Sequence, residues 1–147
     1  MKVGSEIPSC FFSDHTLRIC GNHAITPRNP AMTPIISTQT LAADNSYLEL
    51  DFAEAVYGDG GASTAVDATP GVSFTIVAAG SPTISPTITS ITRPDGSGLA
   101  AGDSLIRIWL SGLQIAVGTE ILTVMVKAGT VYDTNGNATT ADQTTPV

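Results

Sequence analysis

The chain has 147 residues, enough for one domain with a real core, with 13% charged residues, 5% aromatic residues and a formal net charge of −7. An acidic surface argues against a nucleic-acid partner, because phosphate binding needs a basic patch. No apolar run approaches the roughly 18 residues of a membrane-spanning helix, so no membrane insertion is expected.

Residues 1–30 differ in character from everything after them. They hold both cysteines (Cys10 and Cys20), both histidines (His15 and His23) and no clear period. Lys2 is a thin basic start, and Cys10–Phe12 is far too short for the apolar core of a secretory signal. Pro27, Pro30 and Pro34 punctuate the exit, which places a boundary near residue 31. Residues 1–30 are thus an N-terminal extension of unknown role, and residues 31–147 a second unit. Three fates are open to the cysteines. A Cys10–Cys20 disulfide would add about 2–3 kcal/mol. A Cys₂His₂ zinc set with His15 and His23 has the right ligand types but spacings that match no known finger. Two free thiols are the third.

From Pro34 onward the text is regular. Thr, Ser, Ala, Val, Ile and Gly dominate while helix-forming Lys, Glu, Gln and Arg are scarce, which favours strands. Pro34–Leu41 is the first expected strand, closed by the turn Ala43-Asp44-Asn45-Ser46. Tyr47–Phe52 alternates, with Leu48, Leu50 and Phe52 on one face and Tyr47, Glu49 and Asp51 on the other. Residues 58–71 form a long Gly/Ala/Ser/Thr/Asp loop, with room for a short helix around Thr64–Ala68. Val72–Ala78 is the third strand, with Phe74 and Ile76 inward. Thr87–Arg93 is the fourth, with Ile88 in the core and Ile91 on the opposite face or past a bulge.

The turn Pro94–Gly98 leads to Leu105–Ser111, where Ile106, Ile108 and Leu110 oppose Leu105, Arg107 and Trp109. Ile121–Val126 follows, burying Leu122, Val124 and Val126. A short strand around Thr130–Tyr132 is expected to run into the Asp/Asn turn Asp133–Asn137. About seven short strands separated by turn signals predict an all-β fold, an antiparallel β-sandwich.

This order of features resembles the bacterial Ig-like repeat domains of large cell-surface and secreted proteins, such as those of the swimming-motility surface protein and of adhesins. The likeness runs from about residue 34 to 147. It is carried by Asp44–Tyr57, by Val72–Ile76, by Leu105–Leu110, by Gly118–Val124 and by the ending Val131-Tyr132-Asp133-Thr134-Asn135-Gly136-Asn137. Asp142–Val147 resembles the linker into a following repeat, and Met32–Ile36 the entry from a preceding one. The resemblance implies an Ig-like sandwich, an extracellular or cell-surface location, neighbouring repeats or other copies as partners, and calcium within or between modules.

Calcium is also a reading of the residues themselves. Asp133, Asn135 and Asn137 alternate around a tight turn, and alternate Asp/Asn oxygens are how loops wrap a hard cation. Asp51, Glu54 and Asp59 are candidate carboxylates if the second strand lies beside that turn. The competing reading is an Asx-turn, in which the same side chains bond local amides. Catalysis is not expected: there is no Gly-x-Ser-x-Gly elbow, and both histidines sit in the atypical extension. Trp109, the only tryptophan, is a candidate interface anchor. The functional expectation is a non-catalytic structural module of a surface or filament assembly, working by spacing, adhesion or polymerisation through strand donation. The alternative is a glycan- or peptide-binding accessory module.

Overall fold

A computed structural model describes residues 33–80, 84–113, 120–140 and 143–146. The extension, with its disulfide and zinc candidates Cys10, Cys20, His15 and His23, lies outside the described residues.

The described residues form seven strands: β1 (Thr38–Leu41), β2 (Tyr47–Asp51), β3 (Phe74–Ala79), β4 (Thr87–Thr92), β5 (Leu105–Ser111), β6 (Ile121–Val126) and β7 (Gln143–Pro146). They form two antiparallel sheets, ordered β1-β2-β5-β4 and β3-β6-β7. With strands lettered A to G in chain order, this is the ABED and CFG arrangement of a constant-type immunoglobulin sandwich. No helix occurs among the described residues, so the stretch Thr64–Ala68 is loop.

The period-two pattern puts the core where alternation demands it. Leu48, Leu50, Ile106, Ile108 and Leu110 line one inner face, and Phe74, Leu122, Val124 and Val126 the other. Phe52 closes the gap between layers, its ring centroid 6.4 Å from that of Phe74. Removing each such side chain from water contributes about 1.5–3 kcal/mol. Both cysteines of the chain precede residue 31, so this core has no intersheet disulfide and is held by packing.

Three local departures have physical causes. Strand β1 begins at Thr38 rather than at Pro34. Pro34 has no N–H to donate, and the link to β2 opens at Ser37, whose N–H donates to the Asp51 carbonyl at 2.7 Å. In β4 the register shifts between Ile88 and Ser90, a bulge that returns Ile91 to the core face, where it is buried while Ile88 is only partly so. The expected strand at Thr130–Tyr132 does not form. Tyr132 makes isolated bridges to Tyr57 and Ala138, and the last strand is instead Gln143–Pro146, paired with β6. Two apolar residues before an Asp-rich turn suffice for a bridge and are too few for a strand.

The candidate site: an acidic turn and an aromatic sheet face

Tyr57 and Tyr132 exchange main-chain bonds, Tyr57 N–H to the Tyr132 carbonyl at 2.8 Å and the reverse at 2.9 Å. This bridge lays the segment after β2 along the turn 133–137. Gly136 has φ +80°, and a Cβ there would stand 2.5 Å from the Gly60 carbonyl oxygen, so loop 58–64 packs directly on the turn.

Asp133 lies at the centre and is 2% exposed. Its Oδ1 accepts the main-chain N–H groups of Asn135 and Asn137, both at 2.8 Å, and its Oδ2 accepts the Asn137 side-chain amide at 2.7 Å. The turn is closed from behind by Gly136 N–H to the Asp133 carbonyl and Asp133 N–H to the Asn137 carbonyl. Burial pushes the Asp133 carboxyl up. The bonds from Asn137 and Asn135 outweigh it and hold the group below the ordinary aspartate value. Glu54 sits near enough to feel that charge: its own burial, and then the Asp133 carboxylate, raise its pKa. The two carboxyl groups therefore interact electrostatically and shift in opposite directions.

The other candidate ligands are placed differently. Asp59 turns into its own loop, Oδ1 accepting the N–H groups of Ser63 (2.9 Å) and Thr64 (3.4 Å) and Oδ2 the Ser63 hydroxyl (2.6 Å). Asp51 stands in the ladder between Thr38 and Leu105, and its carbonyl takes both the N–H and the hydroxyl of Ser37. Asn135 is exposed and contributes its main-chain N–H to Asp133. Of these carboxylates, Glu54 is the one near enough to Asp133 to be shifted by its charge. Among the described residues, no three carboxylate, histidine or cysteine side chains converge in metal-ligating geometry.

The same bracing recurs around the fold. Asp44 Oδ1 accepts the N–H and hydroxyl of Ser46, beside Asn45 with φ 59°. Asp95 Oδ1 does the same for Ser97, and Asp67 accepts the N–H of Thr69. The Ser46 and Ser97 hydroxyls, followed by the main-chain N–H groups, hold Asp44 and Asp95 below the ordinary value. Asp103 Oδ2 takes Arg93 Nε at 2.8 Å and Ala100 N–H at 2.7 Å, tying the end of β4 to the approach to β5.

On the outer face of the four-stranded sheet a second cluster forms. Strand register sets Tyr47 opposite Trp109 and Glu49 opposite Arg107. Glu49 Oε1 accepts both Arg107 Nη2 (2.6 Å) and Nε (3.1 Å). The guanidinium carbon lies 4.0 Å from the Tyr47 ring centroid and 5.5 Å from that of Trp109. Tyr47 and Trp109 meet edge to face at 5.3 Å, and Trp109 Nε1 donates to Thr92 Oγ1 at 3.0 Å. Trp109 is therefore on the outer surface of the sandwich, half-buried by its cross-strand neighbours. The alternation of β2 and β5 places Tyr47, Glu49, Arg107 and Trp109 on outer faces. Only the register, which those two stretches do not encode on their own, makes them one cluster.

No protein-family model matches this chain, and no curated protein or solved structure matches it either.

Proposed function

We propose that this chain is a non-catalytic structural module of an extracellular surface or filament assembly, serving spacing, adhesion or polymerisation by strand donation with neighbouring repeats or other copies. One observation carries the reading. Asp44, Asp59, Asp67, Asp95 and Asp133 each accept one or two main-chain N–H groups from residues two to five positions further on, so the acidic side chains lock the loops of a two-layer sandwich. A sandwich whose strands are cross-bonded along their length and whose turns are individually braced resists deformation, as a spacer must. Calcium belongs to the same reading as a brace at Glu54 and Asp133, where a cation would relieve the repulsion between the two carboxylates.

The test is to image the purified protein by negative stain with and without calcium while recording its melting temperature. Filaments or end-to-end chains are the expected result for a polymerising module. A melting temperature that rises with calcium, without filaments, is the result for a braced spacer. A dispersed protein unaffected by calcium that retains a specific glycan or peptide would overturn the reading. That outcome favours the second function, a glycan- or peptide-binding accessory module. Its supporting observation is the Tyr47–Arg107–Trp109 face, where two aromatic rings and a guanidinium lie side by side.

A further inference from the structure

A sheet edge is a row of main-chain donors and acceptors, and soluble proteins blunt such rows with short strands, bulges, prolines or charges. Three of the four edges formed by the described strands are blunted. Strand β1 is four residues long, β4 carries the bulge at Ile88–Ser90, and β7 is four residues long and ends in Pro146. Strand β3 is the exception: six residues, Phe-Thr-Ile-Val-Ala-Ala, with no proline, charge or bulge. Among the described residues no strand pairs with its outer edge.

The direction of the free groups follows from the ladder. Lys127 N–H donates to the Ser73 carbonyl at 3.0 Å, and in the β3–β6 register Ser73 stands opposite Lys127. Hydrogen-bonded and non-bonded pairs alternate, so Thr75, Val77 and Ala79 bond β6 while Phe74, Ile76 and Ala78 turn their N–H and C=O outward. The side chains agree. Ile76 and Ala78 point to the core face yet are only half-buried, although their partners Val124 and Leu122 are buried. Among the described residues no strand covers them on the outer side of β3.

Charge selects the occupant. The chain carries −7, so two copies repel over most of their surface. The outer face formed by Thr75, Val77 and Ala79 of β3 with Ile121, Thr123 and Met125 of β6 has no charged residue, and Val77 and Ile121 are about half exposed on it. The corresponding face of the other sheet carries Glu49, Asp51 and Arg107. An uncharged strand set against itself opposes no like charges, which makes the β3 edge self-complementary. We propose that two copies of this chain join β3 to β3, antiparallel about a two-fold axis, through the outward main-chain groups of Phe74, Ile76 and Ala78. The result is a continuous six-stranded sheet, β7-β6-β3-β3-β6-β7. This goes beyond the module reading and does not depend on it, because a two-fold contact closes at two copies and forms no filament.

Sedimentation equilibrium of the full chain over a broad concentration range tests the proposal. The wild type is expected to show a monomer–dimer equilibrium. Val77→Lys sets two added charges beside the axis, and Ala78→Pro deletes an N–H that points away from β6. Each is expected to weaken the dimer by about tenfold or more, equivalent to about 1.4 kcal/mol. Thr89→Lys, which adds the same charge on the bulged β4 edge, is expected to leave it unchanged. Circular dichroism confirms that each variant retains the fold. A wild type that stays monomeric throughout, a dimer that survives both β3 variants, or one that Thr89→Lys dissociates equally would overturn the proposal.

Discussion

Replacing Asp133 with Ala removes three hydrogen bonds at one buried carboxylate: two from the main-chain N–H groups of Asn135 and Asn137 and one from the Asn137 amide. Hydrogen bonds to a charged group are each worth about 1.5–3 kcal/mol, but Asn135 and Asn137 are open enough for water to replace part of the loss. Removing the carboxylate also relieves its repulsion of Glu54, a small gain. The balance is a destabilisation of about 2–4 kcal/mol, or about 10 °C in melting temperature for a domain of this size. Urea unfolding at neutral pH in the presence of a chelator reads it directly. The pH dependence has a definite sign. The folded pKa of Asp133 is depressed, so its stabilisation is complete above the unfolded value near 3.8 and is lost as pH falls through the lower, folded value. The difference between wild type and variant should therefore shrink in acid. A loss below about 1 kcal/mol with the chelator present would refute the self-braced turn. A loss that emerges only when calcium is added would make the turn a cation site instead.

Three further substitutions probe the same physics. The Glu54 pKa is raised, so its ionisation weakens the fold above the unfolded value of 4.5, and Glu54→Gln should raise the melting temperature at neutral pH with no gain at a pH below that value. If calcium bridges Glu54 and Asp133, the same variant should also lose any calcium-dependent rise in melting temperature. Gly136→Ala meets both a left-handed φ of +80° and the Gly60 carbonyl oxygen, whereas Gly96→Ala, at φ +85°, meets nothing within 4 Å. The first should cost at least about 1 kcal/mol more than the second in chemical unfolding, and equal costs would show that loop 58–64 does not rest on the turn. The Ser73 hydroxyl is buried with no partner among the described residues, so Ser73→Ala should be neutral or stabilising by up to about 1 kcal/mol, and a marked loss of stability would contradict that placement.

The core was the most legible part of this chain. Leu48, Leu50 and Phe52, then Ile106, Ile108 and Leu110, then Leu122, Val124 and Val126 alternate with polar or outward residues, and every one is buried. Sheets buried on one face leave that signature in sequence, whatever their partners are. The last strand was not legible. Gln143-Thr-Thr-Pro is polar and ends in proline, so nothing in its text separates a sheet edge from a linker, and only its register with β6 makes it a strand. The acidic turn was legible as a location and ambiguous as chemistry. Asp and Asn at alternate positions serve a cation loop and an Asx-turn equally, so the sequence places the turn without assigning its chemistry. The amides of residues 135 and 137 point toward Asp133, which supplies the Asx-turn bonds. The aromatic cluster needed register as well, because Tyr47 and Trp109 are 62 positions apart and meet only once β2 and β5 are aligned.

The central claim is a sandwich of two separate antiparallel sheets joined through their apolar inner faces. A nuclear Overhauser spectrum of the full chain tests it most directly. Close Hα–Hα contacts are expected at the non-bonded pairs Glu49–Arg107 and Ile76–Val124, one in each sheet, together with ring contacts between Phe52 and Phe74 across the layers. Main-chain contacts joining β3 to β4 in one continuous sheet, with no contact between the two phenylalanine rings, would contradict it.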